Sequence, residues 1–247
     1  MTIQAGTFVK TASPHIIEVL GTCGLDFAVV DAEHGPFDRG AIDLMVLAGR
    51  AAGLPVLVRV PDDRHSTLLS TLDMGAAGVL VPHVDSAAQA AEIVRNTRFG
   101  IGERGYSGSP RFAGYGSLGR AEALKRGDQA IVLAQIESAA AVEECEAIAA
   151  TPGIDGVFIG RSDLSLSMGE TSTEAPAVVA ATRRIIAAGV AAGKLVGMFV
   201  GSTAEAAGFA PLGANWFIVG SDQSILRQGA REIAAFAGPA NREGKAA

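Results

Sequence analysis

The chain has 247 residues, 49% hydrophobic and 19% charged, which excludes bulk disorder and fits one domain of the size of a single α/β barrel. Its 20 basic and 26 acidic residues give a formal charge of −6 with no basic tract, which argues against nucleic acid and anionic membranes as partners. Two cysteines, Cys23 and Cys145, with no CxxC motif, argue against a disulfide framework and a structural zinc site.

The N-terminal MTIQAGTFVKTAS has neither an apolar core nor a cleavage signature. No apolar run reaches about 18 residues, the length a membrane helix needs. The expectation is a soluble, cytoplasmic protein. Short apolar runs then alternate with longer helix-like stretches. Strands are predicted at Thr7–Lys10, Asp26–Asp31, Pro55–Val60, Gly78–Pro82, Ala130–Glu137, Gly156–Gly160, Leu195–Val200 and Trp216–Gly220. Most are continuously apolar, as strands covered on both faces are. Helices are predicted at Pro14–Cys23, Asp38–Ala52, Ser66–Met74, Ser86–Thr97, Ser138–Ala150, Thr173–Ala192, Thr203–Phe209 and Ser221–Ala237, several opening on a Ser, Thr or Asp cap. Strand–helix alternation of this count is that of a (β/α)8 TIM barrel, an α/β fold, over residues 1–247, with 238–247 a polar tail.

The alternation breaks between Thr97 and Arg126, a stretch rich in Gly, Ser, Arg and aromatics. Placed above strand four, it would cover an active site. Gly100-Ile-Gly102-Glu-Arg-Gly105 matches GxGxxG but neither follows a strand nor opens a helix, so it is a poor dinucleotide fingerprint. The 31 glycines exceed the usual share of about 7%, and they divide between strand–helix junctions and this loop.

In a barrel, function belongs to the C-terminal ends of the strands. Asp31, Glu33 and His34 follow strand two, Arg59 ends strand three and His83 follows strand four. Gln135 and Glu137 lie in strand five, and strand six runs into Arg161, Ser162 and Asp163. Glu137 and Asp163 end consecutive strands, so their carboxylates should be neighbours that repel unless neutralised. The pair fits either a hard divalent cation, Mg2+, Mn2+ or Co2+, or two helix caps. His34 has the pKa for proton transfer near neutrality, or is a surface loop histidine. Arg59 needs an anion, either a substrate or Asp31 or Glu33. Among the lysines only Lys10 is placed for Schiff-base chemistry.

The segments DFAVVDAEHGPFD, VLVRVP, LDMGAAGVLVPHV, AQIES and GIDGVFIGRSDLSLSMG, in this order, resemble the HpcH/HpaI aldolases, the metal-dependent class II pyruvate aldolases. The similarity runs from about Gly6 to Arg227. It implies a phosphoenolpyruvate/pyruvate-type barrel, a C-terminal helix exchanged between subunits, and a homo-oligomer, typically a hexamer. It makes His34 the catalytic base, Arg59 the stabiliser of enolate and alkoxide, and Glu137 and Asp163 the metal ligands. Gln135, Gly160, Ser162 and Asp163 would contact a 2-oxo acid, and an aldehyde would be the second reactant. Asp73 matches an aspartate that tunes the catalytic histidine. Because Asp73 closes the helix before strand four, it should lie at the far end of its own barrel and meet a histidine only of a neighbouring subunit. The family often has Pro-Ala where this chain has Arg161-Ser162, which adds a charge near the pocket. A CoA-thioester lyase of the citrate-lyase β type and a catalytically silent barrel subunit are the competing readings.

Overall fold

The computed structural model describes residues 2–236. Eight parallel strands close into a barrel in sequence order, so each strand pairs with its neighbours in the chain and β1 closes against β8. They are β1 (Gln4–Val9), β2 (Phe27–Asp31), β3 (Val56–Arg59), β4 (Gly78–Val81), β5 (Ile131–Ile136), β6 (Gly156–Ile159), β7 (Leu195–Val200) and β8 (Trp216–Ser221). The helices are α1 (Pro14–Gly21), α2 (Arg39–Ala52), α3 (His65–Asp73), α4 (Ala87–Thr97), α5 (Arg120–Gly127) and α6 (Ala139–Glu143). Then come α7 (Cys145–Ala150), α8 (Arg161–Ser167), α9 (Pro176–Ala191), α10 (Thr203–Phe209) and α11 (Asp222–Phe236). No helix of the described residues is long and apolar enough to cross a membrane. The expected tail, 238–247, lies outside the described residues.

Side chains alternate across each strand, so one set fills the barrel and the other meets the helices. Phe8, Phe27, Val29, Leu57, Leu80, Leu133, Phe158, Trp216 and Ile218 form the inner core. Phe27 stacks on Trp216 with ring centroids 3.8 Å apart. Gly6 makes that stack possible, since a Cβ there would come within 2.5 Å of the Phe27 ring. The outward set, including Val30, Val58, Val79, Ala134 and Ile159, joins helix residues such as Met45, Leu68, Ile93, Ile148 and Ile185 in a second, larger core. Each such aliphatic side chain contributes on the order of 1.5–3 kcal/mol by leaving water. Asp38, Ser86, Ser138 and Ser202 accept hydrogen bonds from Ala41, Gln89, Ala141 and Glu205 N–H groups, fixing where four helices start.

The Thr97–Arg126 stretch is not at the mouth. Helix α4 carries the chain back to the opposite end before the stretch begins, so residues 98–119 and α5 lie under the barrel, ahead of β5. Arg98 ties them there. It donates to the carbonyls of Asp128 (2.7 Å), Ala130 (2.6 Å) and Gly153 (2.9 Å) and pairs with Asp155. Arg111 binds the Met74 carbonyl at 2.7 Å and Asp43 at 2.7 Å. The stretch is therefore a strap beneath the barrel, anchored by buried arginines, and not an active-site cover. Two further helices, α5 within that stretch and α8 directly after β6, were not expected, and Ser138–Ala150 divides at Glu144 into α6 and α7.

Candidate active site

The inward alternation of the strands delivers the polar residues. In β2 the series Phe27, Val29 ends on Asp31. In β3 Leu57 is followed by Arg59, and in β5 Leu133 is followed by Gln135 and then Glu137. Apolar side chains thus fill the barrel, and the same faces turn polar at the C-terminal end.

Asp31 and Arg59 are register partners on adjacent strands. Arg59 donates from Nε to Asp31 Oδ1 (2.9 Å) and from Nη2 to Oδ2 (2.8 Å), and Lys10 Nζ lies 3.0 Å from Oδ2. Burial alone would raise the Asp31 carboxyl. The Arg59 bonds and charge, helped by Lys10 and the His34 N–H, outweigh it and hold the group below the ordinary carboxylate range. The third guanidinium corner, Nη1, lies 3.2 Å from Glu33 Oε2 as an ion pair. Arg59 therefore has its structural partners and still lines the cleft, so the two expectations for it coexist.

Glu137 stands one step beyond Gln135 and is 3% exposed. It accepts from Gln135 Nε2 and, at Oε1, from the His83 N–H at 2.8 Å. His83 Nδ1 also lies 3.0 Å from Oε1. This double approach needs His83 at φ +53°, a left-handed conformation uncommon in a residue other than glycine. Burial, against the opposing bonds from Gln135 and His83, pushes the Glu137 carboxyl up. Gly160 packs on this carboxylate so closely that a Cβ would sit 2.6 Å from its Oε2.

Among the described residues, Glu33, His83 and Glu137 offer ligand atoms that all lie within 4.8 Å of one another. Two carboxylates and an imidazole suit a hard or borderline divalent cation. Buried Gln135 Oε1, which has no hydrogen-bond partner, is a further donor beside them. Asp163, in the first turn of α8, lines the neighbouring cleft but does not belong to that group. Sequence reasoning offered Glu33 only as an ion-pair partner of Arg59 and placed His83 at a strand end without a role. The signal that joins them, the turned backbone of His83, is not written in residue type.

The cleft at the mouth has a volume of about 640 Å³. His34, Arg59, Gln135, Gly160, Ser162 and Asp163 all line it. The His34 side chain is 57% exposed, and its Nε2 stands 3.9 Å from Glu33 Oε2. Lys10 lines the cleft too, held on Asp31. Asp73 is elsewhere. It ends α3 and accepts from Arg104 Nη2 at 2.9 Å beneath the barrel, where burial raises its carboxyl despite the arginine. Within one chain it does not reach His34. Arg161, the unusual residue of the GRSD segment, is 6% exposed and pairs with Glu174 and Glu205, its guanidinium 4.8 Å from the Phe209 ring centre.

Comparison with known proteins agrees with this architecture. Residues 4–229 match the family model of HpcH/HpaI aldolase/citrate lyase. The chain is 36% identical to 5-keto-4-deoxy-D-glucarate aldolase of Klebsiella pneumoniae, over 94% of this chain and 91% of that one. It is 34% identical to hydroxypyruvate/pyruvate aldolase of Paraburkholderia phytofirmans, over 92% and 90%. The crystal structure of an HpcH/HpaI aldolase/citrate lyase family protein from Burkholderia cenocepacia J2315 superposes with a TM-score of 0.91 at 34% identity, covering 96% of this chain and 95% of that one. The named relatives are aldolases, which are carbon–carbon lyases, and this chain belongs to the HpcH/HpaI aldolase/citrate lyase family.

Proposed function

We propose that this protein is a divalent-metal-dependent aldolase that makes or cleaves 4-hydroxy-2-oxo acids, with pyruvate or hydroxypyruvate as nucleophile and an aldehyde as acceptor. The observation that carries the reading is the meeting of His34, Arg59, Gln135 and Asp163 around one cleft, with Glu137 buried beside Gln135. In cleavage the C3–C4 bond breaks and the C4 hydroxyl gives up its proton to become the aldehyde carbonyl. The bonding pair stays on C3 as an enolate, which takes a proton to form the methyl of pyruvate.

His34 is the exposed base that accepts the hydroxyl proton, directly or through water. Arg59, fixed by Asp31 and Glu33, presents a preorganised cation to the oxygen that gains charge. Gln135, Gly160 and Ser162 orient the 2-oxo acid. Glu137 and Asp163 would hold the metal, with Glu33 and His83 adjoining Glu137. When bound, Mg2+, Mn2+ or Co2+ supplies neutralisation of the enolate charge.

The working form is a cytoplasmic homohexamer in which α11 is exchanged between subunits. Support for exchange comes from Ile225, Leu226, Ile233 and Phe236 on that helix, which are 52–95% exposed in the single chain. Asp73 acts on His34 of a neighbouring subunit.

The test is lactate dehydrogenase-coupled pyruvate release from a 4-hydroxy-2-oxo acid with Mn2+, Mg2+, Co2+ or EDTA. Metal-dependent release is expected. Equal release in EDTA removes the metal role, and no release with any metal removes the aldolase reading.

A further inference from the structure

Three basic side chains, Lys10, Arg59 and Arg161, line the cleft, and each is already paired with a carboxylate. Lys10 and Arg59 share Asp31, and Arg59 also faces Glu33. Arg161 is held on two sides. Its Nη1 donates to Glu205 and its Nη2 to Glu174, while Nη2 also approaches the Thr173 carbonyl at 3.4 Å. Glu205 is itself fixed, because its Oε2 accepts from the Gly201 N–H at 2.7 Å. Packed against Phe209 and nearly buried, this guanidinium cannot swing out to meet a ligand without leaving both carboxylates uncompensated.

In the aldolase reading the 2-oxo acid takes the Gln135 side of the cleft, which leaves to the aldehyde the side lined by Thr173, Phe199 and Glu205. The cluster of Arg161, Glu174 and Glu205 carries an excess of one negative charge, counted as one cation against two anions. A carboxylate on the aldehyde would meet that excess with no free permanent cation among the described residues lining the cleft. Apart from Lys10, which is held on Asp31, what this side offers is uncharged: Thr173, Ser221 and Gln223 for hydroxyl groups and the half-exposed Phe199 ring for carbon. We infer that the Arg161–Glu174–Glu205 cluster makes the enzyme select an uncharged, hydroxyl-bearing aldehyde over one that carries a carboxylate. This inference rests on the aldolase reading and assigns its acceptor class.

The experiment compares two substrates of equal chain length, 4,5-dihydroxy-2-oxopentanoate and 4-hydroxy-2-oxopentanedioate. Both release pyruvate, the first with glycolaldehyde and the second with glyoxylate. With Mn2+, the ratio of the two kcat/KM values should favour the first by about tenfold or more, the scale of one unfavourable charge placement. Glu174→Gln, at a side chain 74% exposed and so no threat to folding, should lower the ratio. Glu174→Gln combined with Glu205→Gln should lower it further, chiefly through a smaller KM for the dicarboxylate. Equal or better cleavage of the dicarboxylate by the unaltered enzyme overturns the inference and leaves the aldolase reading standing. An unchanged ratio in Glu174→Gln overturns it as well. Cleavage of neither substrate with Mn2+, Mg2+ or Co2+ overturns both.

Discussion

Buried arginines gather at both ends of this barrel, and the two groups do different things. Beneath it, Arg98, Arg104 and Arg111 are 4–7% exposed. They pair with Asp155, Asp73 and Asp43 respectively, and Arg98 and Arg111 add backbone carbonyls, so they tie together the loops under the barrel. At the mouth, Arg59 and Arg161 are equally buried at 6–7% and also pair with carboxylates, but both line the large cleft. Burial of charge therefore does not mark a functional end. Nor does a carboxylate partner; the setting does, since arginines that bridge loops fix a fold, whereas a counter-charged lattice around space leaves chemistry for a substrate to complete.

The sharpest way to break this comparison is at Glu137. Glu137→Gln keeps the shape and removes the charge, and pyruvate release should fall on the order of 10³-fold. The metal-free fold should not weaken at pH 7. Because burial raises the Glu137 carboxyl in the folded chain, ionising it opposes folding. The cost grows as pH climbs through the unfolded value and is complete above the raised folded value. A loss of stability at pH 7, measured by urea unfolding in EDTA, would place Glu137 with the structural group. Asp31 has the opposite sign. Its depressed carboxyl stabilises the fold above its unfolded pKa, and that contribution disappears as pH falls through the lower folded value.

At the other end, Arg98→Ala should cost about 3 kcal/mol, since it strips a buried cation from three carbonyls and Asp155. The measurement is the denaturant midpoint, and the folded fraction should keep its kcat/KM. Activity lost ahead of stability would bring the strap into the catalytic account. Gly160→Ala is the converse experiment on the mouth. Its Cβ would come within 2.6 Å of Glu137 Oε2 and 2.8 Å of Glu137 Cβ, and the displacement of that carboxylate should lower kcat of the folded fraction by about 10²-fold.

The barrel and the polar end of its strands were both legible in residue order. The apolar runs marked all eight strands, β7 to the residue, because strands covered on both faces read as continuous hydrophobic stretches. Asp31, Arg59, Gln135 and Glu137 stood out because polar residues interrupted those runs at one end only. The strap of residues 98–119 was misplaced because glycine, serine and arginine announce an irregular segment without saying which end of the barrel holds it. The end was decided by α4, which turns the chain around at Thr97. Likewise, the approach of His83 to Glu137 depends on a backbone angle, and the neutralisation of Arg161 depends on Glu174 and Glu205 from α9's approach and α10, far along the chain. Long-range pairings of this kind are properties of the closed barrel and not of any local pattern.

The smallest effect belongs to an arginine with as many side-chain partners as any at the mouth. Arg184 on α9 reaches Glu143 at 3.0 Å and Glu146 at 3.0 Å and draws the Glu146 carboxyl down to about 2. By a count of contacts this is a strong cluster. It is also exposed, so water and salt screen each attraction, and the ordering of long side chains offsets what remains. Arg184→Ala should therefore leave both Tm and kcat/KM within replicate scatter, at 50 mM salt as at 500 mM. A clear drop in Tm confined to low salt would show that partner number outweighs burial, and would undo the distinction between the two ends of the barrel on which the other substitutions depend.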